Sequence, residues 1–513
     1  MNVKNNENLP EGWSIAQIEN LLQPFEKKRV ISQGWSPQCE KEPSQNENDW
    51  GVLKTTSIQM GKFLSEHNKR LPNKLSPRPQ HEVKEGDILL TCAGPRNRCG
   101  VACLVRRTRK RLMISGKMYR FRPNTDSIDP RYLEAYLQSS EAQAAIDVMK
   151  TGGNESGLNL THGRFCELLI PVAPLEQQKR IVAEIEKQFS RLDDAVANLK
   201  RVKANLKRYK AAVLKAAVEG KLTEEWRKQH PDIEPASKLL ERILTERREK
   251  WEEAELAKMK AKGKAPEDDK WKKKYKEPDC PGIVDFIIPQ SWSVATVQQL
   301  AERVQYGSSS KTNEDESGIP VLRMGNIFEG ELTLEKLKYL PPNHNEFPEL
   351  LIDDDDLLFN RTNSPELVGK TAVYKGKPTP CSFASYLIRV RMMPGVEAKF
   401  LSYYINSMHG RQWVKSVVTQ QVGQANVNGT KLQALIIPVP PSMEQRAIVS
   451  EMENRFSLMN GMEVAVETNM LRAERLRQSI LSKAFSGELI RDDSADSPNN
   501  DLLSFKITTE AIR

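Results

Sequence analysis

Residues 170–189 read IPVAPLEQQKRIVAEIEKQF, and residues 437–456 read IPVPPSMEQRAIVSEMENRF. Each begins as an apolar, proline-marked strand end and runs straight into apolar residues at helical spacing. Pro171 answers to Pro438, an offset of 438 − 171 = 267. The same offset carries Gln178 to Gln445, Ile181 to Ile448, Glu184 to Glu451, Phe189 to Phe456, Leu214 to Leu481, Ala217 to Ala484, Gly220 to Gly487 and Leu222 to Leu489, with no gap. A match of this extent at one period is an internal repeat, and a repeat sets the architecture.

Upstream of each joint the correspondence continues with small shifts. GDILLTCAGPRNRCGVACLV (86–105) resembles DDDLLFNRTNSPELVGKTAVY (354–374), and YRFRP (119–123) sits like IRVRM (388–392). WGVLKTTSI (50–58) corresponds to PVLRMGNI (320–327), and LPEGWSIAQI (9–18) to IPQSWSVATV (288–297). The last pair stands at 292 − 13 = 279, so the first copy holds about ten extra residues, read as a surface loop over CEKEPSQNEND. Within each half the apolar stretches are short (ILL, LLIPV, LLF, LIIPV) and punctuated by Gly, Pro and Asn. That pattern predicts a mixed α/β domain dominated by strands, with helical stretches at 130–150 and 399–417.

Downstream of each joint, Ile181, Ile185, Phe189, Leu192, Val196, Leu199, Leu206, Tyr209, Val213 and Ala217 recur at spacings of three, four or their sums. Ile448, Met452, Phe456, Met459, Val466, Ala473, Leu476, Ile480 and Ala484 do the same. This is a coiled-coil seam. Neither stripe is broad enough to stand alone, so each helix needs a partner, and the other helix of the same chain is the nearest one. About 45 residues at ~1.5 Å each give a rod on the order of 65 Å, long enough to hold two domains apart.

The expected organisation is a first globular domain at 1–172, a helix at 173–222, a charged connector at 223–285, a second globular domain at 286–439, a second helix at 440–490 and a disordered tail at 491–513. The connector carries one helix, from Ala236 to Lys260, and reads as a solvated flexible linker whose Lys-rich end offers an alternative role against nucleic acid.

At 513 residues the chain exceeds one hydrophobic core. It has no apolar run of 18 or more, which argues against a membrane span, and MNVKNNENLPEGW lacks a signal-peptide core. Seven cysteines, an odd number with no CxxC pair, suit the reduced thiols of a cytoplasm and argue against a metal site. A net charge of +9 is compatible with a polyanionic partner, although chains of this length often carry as much.

Catalytic signatures are missing. GKT at 369–371 has Ser364 where a phosphate loop requires Gly. There is no [DNS]PP[YFW] motif for amino-methylation of a flipped base and no glycine-rich cofactor loop. Asp268 and Lys270 lie in the charged connector, and His67, His81, His162, His230, His344 and His409 are scattered without metal-ligand spacing. These absences point to a binding protein.

Two variable globular halves, each ending in an I-P-[VI]-P-P-x-x-E-Q joint and a coiled-coil helix closing on A-x-x-G-x-L, resemble the specificity subunits of type I restriction-modification systems. The residues that carry the resemblance are IPVAPLEQQKRIV, KAAVEGKLTEEW, IIPVPPSMEQRAIV and ILSKAFSGEL, with LPEGWS and IPQSWS at the domain starts, so that it covers Leu9 to Leu489. Ala173 against Pro440, and Met443 before Glu444, are mild departures. The resemblance implies an α/β fold of two strand-rich target recognition domains, each followed by a long helix. The helices form an antiparallel coiled coil within a pseudo-two-fold internal duplication. It implies a non-catalytic reader of bipartite double-stranded DNA sites, a soluble cytoplasmic protein with no membrane partner. Two methyltransferase subunits and two restriction subunits would be recruited. No cofactor is expected in this chain, while S-adenosylmethionine, ATP and Mg would belong to the partners. The competing class is a coiled-coil scaffold whose globular halves bind proteins.

Candidate DNA contacts are basic or amide side chains that fall in loops of both copies. Lys54 and Arg323 occupy one place, with Asn326 following where Ser57 stands. The loops CAGPRNRCG and FNRTNSPELVG supply Arg96, Asn97 and Arg98 against Arg361, Asn363 and Ser364. Arg takes guanine and Asn takes adenine bidentately in the major groove, though such loops also serve as plain turns. Arg120 with Arg122, and Arg389 with Arg391, alternate along a strand and read either as a phosphate-binding stripe or as a solvent-facing charged edge. TGGNESGLN (151–159) and TQQVGQAN (419–426) are polar loops able to approach a backbone through their N–H groups or to act as connections.

Overall fold

The structure, a computed structural model, describes residues 9–25, 29–44, 46–263, 266, 268–421 and 424–490; the tail expected at 491–513 lies outside them. The chain forms two compact units, one of residues up to Lys200 together with those from Glu467 onward, the other Arg201–Val466. Each unit therefore holds one globular half and a part of both long helices.

In the first unit a four-stranded antiparallel sheet runs in the order Ile31–Gln33, Met118–Phe121, Ile88–Thr91, Ala102–Leu104. In the second unit the order is Ala301–Tyr306, Leu387–Met392, Leu357–Asn360, Thr371–Val373, again antiparallel. Four smaller sheets recur in the same way, beginning with Gly51–Leu53 between a parallel and an antiparallel neighbour and Ile319–Leu322 likewise. The central strands are largely apolar because both sheet faces are covered, with Arg120 and Arg389 as buried exceptions. Ile88, Leu90 and Phe121 point into one cluster, while Leu89, Cys103 and Met118 point into another. Leu357 and Phe359 separate from Leu358 and Ala372 in the same manner.

The helical stretches expected at 130–150 and 399–417 are each two helices: Pro130–Leu137 with Ser140–Met149, and Ala398–Asn406 with Met408–Val417. Ser139 and Ser407 break them by capping the second member, accepting from the N–H of Ala142 (3.1 Å) and Gly410 (3.5 Å).

The long helices run Leu175–Val218 and Ser442–Phe485, 44 residues each. At their starts the repeated Gln is buried and ties helix to domain. Gln178 accepts from the Asp129 N–H (2.8 Å) and donates to the Ala173 carbonyl (2.8 Å). Gln445 accepts from the Glu397 N–H (2.8 Å) and donates to the Pro440 carbonyl (2.8 Å). The preceding strand ends, Leu169–Val172 and Ile436–Val439, pair with Ser14–Gln17 and Ser293–Thr296, immediately after the tryptophans of LPEGWS and IPQSWS. Those tryptophans donate into the helix starts, Trp13 to Gln177 (3.0 Å) and Trp292 to Glu444 (2.9 Å).

In the first unit Ile181, Val182, Ile185, Phe189 and Leu192 share a core with Leu476, Ile480, Leu481 and Ala484 of the second helix. Phe485 sits edge-on between Tyr132 and Tyr136, at 5.1 and 5.0 Å. In the second unit Val213, Ala217 and Val218 pack with Ile448, Met452 and Phe456. Each A-x-x-G-x-L ending lies against a domain start. Gly220 and Gly487 have φ of +75° and +81°, and a Cβ at Gly220 would stand 2.5 Å from Pro289 Cγ. A Cβ at Gly487 would overlap Pro10. Gly487→Ala should therefore cost at least ~1–2 kcal/mol from the left-handed backbone alone, read as a lower urea midpoint.

The connector is not the flexible linker that its composition suggests. Its helix, Ala236–Ala261, buries Ala236, Leu239 and Ile243 in the core of the second unit. Arg247 donates to the Ala301 carbonyl and Lys250 pairs with Glu302 at 3.2 Å. No helix among the described residues is long and apolar enough to cross a membrane.

Candidate nucleic-acid interface

The polar loops that the sequence presents separately come together in pairs. Ala93–Gly94, in the loop of Arg96, joins Leu158–Leu160 and Lys150–Thr151 in a three-stranded sheet. Thr362–Asn363 joins Gln424–Asn426 and Thr419–Gln421 in the corresponding sheet of the second unit. In the first unit Arg98 links this sheet to the turn after Lys54, donating to the carbonyls of Thr55 (2.7 Å) and Ile58 (2.6 Å). One polar surface thus carries the Lys54 turn, the Arg96 loop and the 150–160 arm.

The candidates differ sharply in what they have left to offer. Among the described residues Lys54 has no side-chain partner, and Asn97 is exposed. Arg96 is half-exposed and ion-paired to Asp147 (2.5 Å) and Glu155 (2.6 Å); solvent-exposed pairs of this kind are weakly held and exchangeable for a phosphate. In the second unit Arg323 donates to the Lys336 carbonyl (2.9 Å) and keeps further donors. Asn363 uses its oxygen on the Ser364 N–H (2.8 Å) and leaves its amide nitrogen. Arg361 lies over the Tyr306 ring (4.8 Å) and donates to the Ser385 carbonyl (3.3 Å).

Asn326 and Arg98 are structural. Asn326 is buried; it accepts from the Arg323 N–H (2.9 Å) and donates to the carbonyls of Thr333 (2.9 Å) and Glu335 (3.1 Å), so no base-reading edge remains.

The arginine pairs on the central strands require a correction. Arg120 and Arg389 stand opposite Leu89 and Leu358, on the sheet face that a second apolar cluster covers. They are 7% and 1% exposed and do not form an outward basic stripe. Arg120 donates to the Gln80 carbonyl (3.1 Å) and Arg389 to those of Leu351 (2.6 Å) and Glu349 (3.2 Å). Arg122 grips buried Asp87 with two nitrogens (3.1 and 2.7 Å), and Arg391 grips buried Asp356 (2.9 and 2.8 Å). Burial pushes the Arg120 and Arg389 guanidiniums down from the usual range, with Asp87 and Asp356 opposing. The hydrogen bond to Asp356, with its charge, pushes Arg391 up against its own desolvation. These four arginines fasten loops 80–87 and 349–356 to the sheet.

Tyr306 and Tyr386 are additions that sequence reasoning missed. They flank Arg361 and are 43% and 48% exposed; the Tyr386 carbonyl accepts the Arg361 N–H (3.0 Å), and the Tyr306 hydroxyl accepts the Gly429 N–H (2.7 Å). A tyrosine leading into GSSS was the available signal, since a core aromatic seldom precedes so polar a run.

A family model described as the type I restriction modification DNA specificity domain matches residues 289–467. The specificity subunit of the type I restriction enzyme EcoKI of Escherichia coli K12 is 25% identical over 98% of this chain and 94% of its own. Over nearly its whole length the chain is similar to specificity subunits of type I restriction enzymes. The EcoEI specificity subunit of Escherichia coli is 37% identical over 210 residues, 41% of this chain and 34% of the relative. The HsdS subunit from Thermoanaerobacter tengcongensis superposes with a TM-score of 0.50 at 18% identity, over 94% of this chain and 99% of that one. A chain solved in work on complex assembly and conformational transition of the type I R-M system gives 0.61, also at 18% identity and with the same shares. At such identity the superpositions speak for the fold alone.

Proposed function

We propose that this chain is the non-catalytic, DNA-reading specificity subunit of a type I restriction-modification complex, each globular domain recognising one half of a bipartite, asymmetric site. The observation that carries the reading is one joint built twice. Tryptophan at the domain start, buried glutamine at the helix start and glycine at the helix end recur in both units on recognition loops of different sequence. Different loops on a repeated frame are what an asymmetric target requires. The two long helices form an antiparallel coiled coil that spaces the half-sites, a reading supported by Phe189 against Arg477 in one unit (4.2 Å) and Lys210 against Phe456 in the other (5.3 Å).

The first domain reads through Lys54, Arg96 and Asn97, the second through Arg323, Arg361, Asn363 and Ser364, with Tyr306 and Tyr386 flanking. Two methyltransferase and two restriction subunits supply the chemistry, with S-adenosylmethionine, ATP and Mg held by those cytoplasmic partners. Arg361→Ala should weaken discrimination at one position of the second half-site by ~1–3 kcal/mol, leaving the first unchanged, as read in competition binding. Exchanging residues 1–170 for those of another family member should replace one half-site alone. If both half-sites change, domain-by-domain reading is wrong. One heptad added to each long helix should widen the gap by about 10 Å, roughly three base pairs.

A further inference from the structure

The connector ends in a basic hairpin that the recognition machinery above does not use. Between Ala236 and Glu255 charges nearly cancel, five Lys and Arg against six Glu; from Leu256 to Lys276 there are nine Lys against three Asp or Glu, a balance of +6. The charge is therefore polarised, with the mixed end docked on the second domain and the basic end beyond it.

The two described arms pack on each other. The second arm, a 3-10 helix at Asp269–Lys274, returns along the first through Trp271, which stacks on Trp251 at 6.1 Å, with Tyr275 against the same ring at 5.3 Å. Lys258 pairs with Glu255 (3.5 Å), Lys270 with Asp268 (2.8 Å) and Lys272 with Asp269 (3.4 Å). Lys260, Lys262, Lys273, Lys274 and Lys276 are exposed and have no ion-pair partner among the described residues. Five unpaired ammonium groups on two short arms repel one another and gain by meeting an anion.

The surface chemistry selects the anion. No large exposed hydrophobic side chain lies between Thr245 and Pro281 among the described residues, so the tip lacks the apolar anchor that a protein interface uses. Its aromatics are stacked on each other, which removes the platform that single-stranded nucleic acid needs. Lysines without a bidentate fork suit sequence-independent contact with duplex phosphates. We infer that the two described arms, 256–263 and 268–276, form a phosphate clamp on duplex DNA flanking the site of the second domain, adding affinity and no sequence preference. This rests on the DNA-reading assignment above.

The test compares the full chain with a variant carrying Lys→Gln at the five unpaired positions, on a random-sequence 60-base-pair duplex pool at several salt concentrations. The variant should bind tenfold or more weakly near ~0.15 M salt, and log K against log[salt] should become shallower by roughly 0.9 for each lysine that holds a phosphate. Lys→Arg at the same positions should keep the wild-type slope, which separates lost charge from lost folding. The motif selected from the pool should be the same for all three proteins. A wild-type slope in the Lys→Gln variant overturns the clamp while the reader stands; absence of salt-dependent binding by the wild-type chain overturns both.

Discussion

Asp356→Ala should destabilise the second unit by ~3–5 kcal/mol, read from its urea unfolding transition. Asp356 is 1% exposed and serves two guanidiniums, Arg391 at 2.8 Å and Arg389 at 3.6 Å, while also accepting the Asp353 N–H (2.9 Å). Removing it leaves the Arg389 charge buried without a counterion, and that desolvation dominates the loss. The same physics predicts a partial reversal. Replacing Arg389 with Met and Asp356 with Leu together should recover most of the stability, because a buried ion pair and an apolar pair of similar size are often near balance. If the single variant lost less than ~1 kcal/mol, the structural role would be wrong and an outward, phosphate-facing arginine would return to consideration.

Glu444→Ala should have a comparable effect, ~3–5 kcal/mol, on the same transition. Its carboxylate is fully buried where three pieces of the second unit meet. Thr223 at the end of the first long helix donates to it (2.6 Å), Trp292 from the domain start donates to it (2.9 Å), and Arg227 forms an ion pair with it. Truncation strands all three donors, Arg227 most expensively. Gln177 fills this place in the first copy and still accepts from Trp13, so Glu444→Gln should keep the tryptophan bond and lose only the charge-assisted part, ~1.5–3 kcal/mol. Equal losses for Ala and Gln would contradict that division.

The long helices and their joints were legible because their signals are local. Apolar spacing of three and four needs no knowledge of the partner, and the Gln178 and Gln445 clamps fall inside the repeated wording. The arginine pairs were illegible for a specific reason. Alternation along 119–123 and 388–392 says that Arg120 and Arg122 share a face, but whether that face is wet depends on what packs there. Here it is covered by residues around Leu89 and Leu358, and the balancing Asp87 and Asp356 lie some 35 positions upstream in sequence. The connector erred in the opposite direction. Its charge suggested a linker, while Ala236, Leu239 and Ile243, a three-and-four spacing, already marked a face that packs. The recognition loops were half legible: their residue types were visible, but the pairing of 93–94 with 158–160, and of 362–363 with 424–426, is a long-range strand contact that no local pattern encodes.

The most direct test of the central claim is selection of a random duplex pool by this chain together with its methyltransferase partner, followed by sequencing of the bound fraction. Bipartite reading predicts two short specific blocks of different sequence at one fixed separation, with the intervening positions unselected. A single uninterrupted block, two blocks at freely varying separation, or no enrichment would contradict it.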